Sequence, residues 1–344
     1  MSQVKLKDIA RELGLSVPTV NRALINKGRI REETKQLVLQ KAREMGYEPN
    51  LSARSLSVRE KLTIALIVPD DFFFVDVVRG VKACLREVEH YKVTVVFKLA
   101  GHNVSDQLEK LDECANEGIR GVLLSATPSP LLNDAIHRLK SMGIPTVTVT
   151  NDAPQSDRLA YVGQNNSVAG RMVAEIFART LPAKARVACL ASNENALGLR
   201  ERTQSFLAAS RRSRADIETL DPFDFSPGDK GSSETMLHNM LSQHVSAIYA
   251  NNMEGTLTMG RVLEKENAHL LTIGHDINQE IAGHLKSGYL HASLYQNPYA
   301  QGYQALKLLF EHLVMGREVL RVLRYIPTQF MMHANLEELE YDRN

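Results

Sequence analysis

The sequence predicts a small all-α helix-turn-helix headpiece followed by an α/β body of two doubly wound lobes. Two short amphipathic helices broken by one glycine open the chain. From residue 62 onward, short apolar runs alternate with helix-spaced segments, and the alternation occurs in two successive sets. At 344 residues the chain is too long for one compact domain and suits a small module plus a two-part body.

In the headpiece, Leu6, Ile9, Ala10 and Leu13 recur at i, i+3, i+4, i+7, which puts an apolar stripe on one helical face. Gly14 then ends that helix. Ser16 is placed to cap a second helix, Pro18 falls in its first turn where a missing N–H costs little, and Val20, Ala23 and Leu24 supply the buried side. Val17, Pro18, Asn21 and Arg22 are left facing outward, and in a helix-turn-helix that face enters the major groove of DNA. Glu32 and Glu33 open a third amphipathic helix carrying Leu37, Val38, Ala42 and Met45, with Gly46 suited to close it. Pro49 then breaks the chain, and Asn50 is placed to cap one more short helix that ends in an unpaired leucine, Leu56.

In the body, strands are expected at 62–68, 93–97, 121–125, 146–149, 186–190, 247–250 and 271–274, with helix spacing between them, as at 75–88 and 104–115. Uncapped β-branched runs joined by helices predict parallel sheets buried on both faces. Two such sets predict two lobes, with ligands at the carboxyl ends of the strands where the lobes face each other.

Charge divides the chain at the same place. Residues 1–60 hold 12 Lys plus Arg against 7 Asp plus Glu, a net of +5, whereas the other 284 carry 29 against 33, a net of −4. A basic module suits phosphate contacts, and a near-neutral body suits a sensor that does not itself bind nucleic acid. No stretch approaches the roughly 20 apolar residues needed to cross a bilayer, and the start of the chain has no apolar leader, so a cytoplasmic protein is expected. Cys84, Cys114 and Cys189 are widely spaced and odd in number, which points to buried free thiols.

Residues 4–59 resemble the DNA-binding headpiece and hinge helix of the LacI/GalR family of bacterial transcription regulators. The match runs through D-I-A-x-x-L-G-L-S-x-x-T-V-x-R-x-L at 8–24, G-Y-x-P-N at 46–50 and the hinge at 53–56. The resemblance implies DNA contacts from Ser16, Val17, Pro18, Thr19, Asn21 and Arg22, and hinge contacts from Asn50, Ala53 and Leu56, the leucine wedging into the minor groove. Asn21 departs from the serine most relatives carry, and Val17 and Pro18 lack polar base-reading groups.

The body, 61–340, is similar to the sugar-binding periplasmic proteins that share this family's effector fold, the type I periplasmic-binding-protein architecture. Its markers are L-I-V-P-D-D-F-F-F at 66–74, Y-V-G-Q-N-N-x-x-A-G-R at 161–171, L-R-E-R at 199–202, A-N-N-M-E at 250–254, G-H-D at 274–276 and Y-Q-N-P at 295–298, all expected to converge on the cleft. By that resemblance Phe72, Phe73 or Phe74 stacks on an effector, Arg200 donates in a fork, Asn252 and Gln296 donate and accept, and Asp276 accepts two hydroxyls. One of the three phenylalanines is expected in the core. Asn252 and Asp276 also fit as helix caps, and Arg202 as a structural partner of Glu201 or Asp276. Thr150 stands where many relatives have an aspartate, and Asn151 or Asp152 is the candidate substitute.

The expected organisation is a headpiece at 1–48, a hinge at 49–60 and a two-lobed effector-binding and dimerisation domain at 61–340. The first lobe is placed at about 61–163 and 294–325, the second at about 164–293 and 326–340. Nucleophile-elbow, phosphate-loop, zinc-protease and dinucleotide signatures are absent, so no enzyme, cofactor or metal is expected, and His275 is read as a packing residue. The expected function is a homodimeric, sequence-specific transcription regulator, taken as a repressor, bound to a pseudo-palindromic operator and controlled by a neutral sugar or polyol. Alternatives are a transport solute-binding protein, or a regulator that senses a sugar phosphate or a purine.

Overall fold

The computed structural model describes residues 4–24, 30–45, 61–192, 195–226 and 228–341. Gly46 and the hinge residues Asn50, Ala53 and Leu56 lie outside the described residues.

Three helices, α1 (Leu6–Leu13), α2 (Val17–Leu24) and α3 (Glu32–Glu44), form the headpiece. Gly14 ends α1 in the left-handed conformation at φ 63°, its N–H reaching back to Ala10 and Arg11. The Ser16 Oγ accepts the Thr19 N–H at 3.2 Å and so caps α2. Ile9, Ala10, Val20, Ala23, Val38 and Ala42 make one buried cluster. Leu37, assigned to the apolar face of α3, is instead 49% exposed; its neighbour Val38 takes the inward position.

The body consists of two sheets with the same plan. The first has order β12-β5-β4-β3-β1-β2, built from Leu62–Val68 (β1), Val93–Leu99 (β2), Gly121–Leu124 (β3), Thr146–Val149 (β4), Ala160–Gly163 (β5) and Leu323–Tyr325 (β12), all parallel. The second has order β13-β11-β10-β9-β6-β7, from Arg186–Ser192 (β6), Glu218–Thr219 (β7), Ala247–Ala250 (β9), Leu271–His275 (β10), Ala292–Tyr295 (β11) and Gln329–Met331 (β13). Phe223–Phe225 (β8) pairs with the far end of β6, and β13 alone runs antiparallel. The chain passes between sheets after β5, after β11 and between β12 and β13.

The central strands of each sheet are buried on both faces, which is why β1, β3 and β9 are near-continuous apolar runs, and β4, which alternates threonine with valine, is buried throughout. In the first lobe the helix Phe72–Glu87 lies against Pro298–Met315, and both helices carry a glycine at the crossing. A Cβ on Gly80 would stand 2.0 Å from the Tyr299 carbonyl oxygen, and one on Gly302 would stand 2.1 Å from that of Val77. In the second lobe Gly170 plays the same part, 2.3 Å from the Arg202 carbonyl oxygen. Cys84, Cys114 and Cys189 are buried free thiols. Among the described residues no helix is long and apolar enough to cross a membrane.

The glycine contacts are backbone to backbone, so no rotamer change relieves a clash there. Gly80→Ala is expected to destabilise the first lobe by about 1–3 kcal/mol, the usual cost of overpacking. A fall in the urea midpoint of the full chain measures it, and an unchanged midpoint would contradict the close approach.

Candidate functional site

The loops at the carboxyl ends of the strands converge on one cavity of about 600 Å³, within the range of small-molecule sites. Asp71, Phe72, Phe73 and Phe74 follow β1, His102 follows β2, and Thr150 and Asn151 follow β4; Asn252, Met253 and Glu254 follow β9, Asp276 follows β10 and Gln296 follows β11. Seven of the eight residues assigned to the effector from sequence therefore line one space: the three phenylalanines, Asn151, Asn252, Asp276 and Gln296.

The phenylalanines divide by helical phase. Asp71 caps their helix, its Oδ1 accepting the Phe73 N–H at 2.9 Å, and its Oδ2 lies 3.0 Å from His102 Nε2. Phe74 is 4% exposed and also belongs to the first lobe's core, whereas Phe72 is 62% exposed at the rim. Asn252 both lines the cavity and caps the helix Met253–Glu266, accepting the Gly255 N–H at 2.9 Å. Asp276 is no cap; Asn278 performs that task for Gln279–Ser287.

Arg200 is the exception and requires a correction. It does not line the cavity, and its Nη1 donates outward to Asn195 Oδ1 at 2.7 Å. Arg202 occupies the inner position, 6% exposed, two residues further round the same helix, Leu197–Ser213. Its Nε donates to Asn166 Oδ1 at 2.8 Å, Nη1 to the Asn251 carbonyl at 3.0 Å and Nη2 to Gln296 Oε1 at 3.2 Å. Gln296 Nε2 in turn donates to Asp276 Oδ1 at 2.8 Å. Leu199, Arg202 and Phe206 share one face at i, i+3, i+7, and that spacing was the available signal for the buried arginine. Sequence reasoning also missed His102, Thr258 and Arg261 as lining residues.

The stretch 150–152 splits. Thr150 is held at φ 62°, and its Oγ1 lies 2.8 Å from Ser125 Oγ. Asn151 Nδ2 donates to the same Ser125 Oγ at 3.2 Å. Asp152 turns away from the cavity and pairs with Arg158, Nη2 to Oδ2 at 2.7 Å. The Y-V-G-Q-N-N motif at 161–166 also departs from expectation: Tyr161, Gln164, Asn165 and Asn166 line a different pocket.

Burial raises the Asp276 carboxyl above the usual carboxylate range; the Arg202 charge and the Gln296 hydrogen bond oppose that rise, and the Asp71 charge adds to it. Burial holds His275 neutral, with its Nε2 2.8 Å from the Tyr249 hydroxyl. Among the described residues no group of three His, Cys, Asp or Glu is placed to hold a metal ion.

On the headpiece, Ser16, Val17, Pro18, Asn21 and Arg22 are exposed and Thr19 is half-buried. Arg22 Nε donates to the Pro18 carbonyl at 3.3 Å.

A helix-turn-helix ahead of two lobes that enclose a cavity of mixed polar and apolar lining defines a DNA-binding protein with a ligand-binding body. Residues 64–318 match the model of the periplasmic binding protein domain, and residues 5–50 match that of the bacterial regulatory proteins of the lacI family. The body belongs to the periplasmic binding protein domain family and the N-terminal module is a lacI-family DNA-binding domain, which makes the chain a DNA-binding transcription regulator. It is 26% identical over 244 residues to the ribose import binding protein RbsB of Bacillus subtilis, covering 70% of this chain and 78% of that protein. It is 29% identical over 168 residues to the HTH-type transcriptional regulator RegA of Clostridium acetobutylicum, covering 48% of each. The solved structure of GanP, a glucose-galactose binding protein from Geobacillus stearothermophilus, matches with a TM-score of 0.72 at 25% identity, over 81% of this chain and 99% of that one. Both matching families are regulators and binding proteins rather than enzymes.

The raised carboxyl gives a sign for pH dependence. A folded-state value above the unfolded one means that stability falls as pH rises from the unfolded value through the folded value, and that the cost is fully present above it. Asp276→Asn keeps the Gln296 hydrogen bond and removes that cost. It is expected to raise the Tm of the unliganded protein at neutral pH and to lose this advantage below the ordinary aspartate range. A Tm unchanged or lowered at neutral pH would contradict the assignment.

Proposed function

We propose that this chain is a cytoplasmic, homodimeric repressor whose affinity for a pseudo-palindromic operator is set by a small neutral sugar or polyol held between its lobes. In this reading 1–48 is the headpiece, 49–60 the hinge that folds on DNA with Leu56 in the minor groove, and 61–340 the effector and dimerisation body. The observation that carries the effector class is the charge inventory of the cavity. Three carboxylates, Asp71, Glu254 and Asp276, line it against two guanidiniums, Arg202 and Arg261. Arg261 is committed to Glu280, with Nη2 to Oε2 at 2.7 Å. Each nitrogen of Arg202 already serves a protein acceptor, which leaves two of its five N–H groups. A phosphate dianion would meet excess negative charge there, whereas a pair of hydroxyls can accept from Arg202 and donate to Asp276. The phenylalanines supply an apolar face for C–H surface. The sugar-binding relatives support the same class.

The test is a gel shift of the full chain on selected operator DNA, titrated with neutral sugars, polyols and sugar phosphates. A neutral sugar or polyol is expected to change the shift, and Asp276→Ala is expected to lose that response while retaining DNA binding. If phosphorylated sugars alone act, the neutral-sugar reading fails.

Arg22 is the candidate for a bidentate guanine contact, once its guanidinium leaves the Pro18 carbonyl. Arg22→Ala is expected to relax base preference at one position in each half-site, a loss of about 1–3 kcal/mol of discrimination. Selection from randomised duplexes reads this directly, and an unchanged profile removes Arg22 from the role.

For the dimer, the edge strand β2 carries Leu99, 55% exposed, and the neighbouring helix carries Val75, 51% exposed. Leu99→Glu is expected to shift the light-scattering mass from dimer towards monomer. A concentration-independent tetramer of the unaltered chain would overturn the dimer.

A further inference from the structure

A second pocket, of about 230 Å³, lies between the lobes and shares no lining residue with the cavity above. The first lobe supplies Asp152, Arg158, Tyr161 and Tyr325, and the second supplies Leu197 and Glu201. Neighbours in sequence part company here: Asn151 lines the cavity and Asp152 the pocket, Ala196 the cavity and Leu197 the pocket, Arg202 the cavity and Glu201 the pocket. Its volume is below the roughly 300 Å³ at which sites for drug-sized ligands begin, so an occupant must be small.

Three features describe that occupant. Asp152 and Arg158 pair with side chains only 13% and 7% exposed, so the one cation in the lining is already neutralised. Glu201 makes no hydrogen bond or ion pair with a described residue; burial and the Asp152 charge disfavour its ionised form, and the Arg202 and Arg200 charges partly oppose them. The unmatched charged group is therefore the Glu201 carboxylate. Beside it stand the ring of Tyr325, in a T-shaped contact with Tyr161 at 6.3 Å, and the apolar side chain of Leu323.

We propose that this pocket binds a small organic cation, an alkylammonium or alkylguanidinium, whose charged head is taken by Glu201 and whose carbon chain lies against Tyr325 and Leu323. An anion has no unpaired cation to meet. A neutral alcohol offers the Glu201 carboxylate a hydrogen bond but no charge. A tyrosine ring face adds attraction for a cation that neither of the others receives. The occupant touches both lobes, so its binding is linked to their arrangement and hence, reciprocally, to occupancy of the strand-end cavity.

The test is isothermal titration of the full chain with n-butylguanidinium and n-butylamine, with 1-butanol as the neutral control. One saturable site per chain is expected for the two cations and none for the alcohol. Glu201→Gln is expected to weaken cation binding about tenfold, and Asp276→Asn to leave it unchanged. Tyr325→Leu, at an exposed edge-strand position, is expected to weaken it independently and serves if Glu201→Gln does not fold. Absence of saturable binding at millimolar cation, or an affinity unchanged from that of the unaltered chain in both Glu201→Gln and Tyr325→Leu, overturns the proposal. Loss of binding in Asp276→Asn with retention in Glu201→Gln also overturns it, because the cation then sits in the strand-end cavity.

Discussion

The buried guanidinium of Arg202 is the constraint from which the cavity follows. An uncompensated buried charge costs several kcal/mol, so each of its nitrogens must find an acceptor. The acceptors come from three separate places: Asn166 just past the first passage between sheets, Asn251 at the end of β9, and Gln296 at the second passage. The last of these has a directional consequence. Because Gln296 Oε1 is spent on Arg202, its amide must present Nε2 to Asp276, and the carboxylate is held by a donor rather than repelled by an acceptor. One cation thus fixes the polarity of an amide, and the amide fixes the carboxylate.

The second constraint is the shared plan of the two sheets. β4 and β10 occupy the same place in their respective orders, and each is followed by a non-glycine residue in the left-handed region, Thr150 at φ 62° and Asp276 at φ 67°. Such a conformation is unfavourable for a β-branched residue and survives only when neighbours hold it. Around Thr150 the Tyr161 hydroxyl donates to its carbonyl at 3.0 Å and Ser125 engages its side chain. The matched positions carry a hydroxyl on one lobe and a carboxylate on the other, so the cavity has chemically unlike sides.

Much of this was legible in the sequence. β1, β3 and β9 are apolar on both faces, and β4 and β10 are short runs rich in β-branched residues; all five were legible as strands. β5 and β11 mix small, polar and aromatic residues over four positions, too short for a period to register. β7, β8, β12 and β13 are two or three residues long, and β12 is fully exposed, so its strand character comes from pairing with β5 rather than from its own side chains. In the site, the assigned residues that follow β1, β4, β9, β10 and β11 come together on one cavity because strand ends dictate direction, whereas the 161–166 motif after β5 lines the other pocket. Arg200 and Arg202 were exchanged because they sit on a helix, where the inward phase is set by tertiary packing and a charged residue argues against burial. The division of 150–152 between two pockets had no local signal, since it depends on Arg158 drawing Asp152 away.

The order of elements along the chain also has a bearing on synthesis. The first lobe's core includes Ala305, Leu306, Leu309 and Phe310 from the helix Pro298–Met315, and each sheet receives its last strand, β12 or β13, after residue 322. Because a chain emerges from the ribosome N-terminus first, the three-helix headpiece closes its core while nearly three hundred residues are still to be made. The two lobes are not both complete until the chain has been made past residue 331. A message cut short anywhere before that point yields a finished headpiece on an unfinished body, so a nascent chain can present its three-helix module before it has any cavity between lobes.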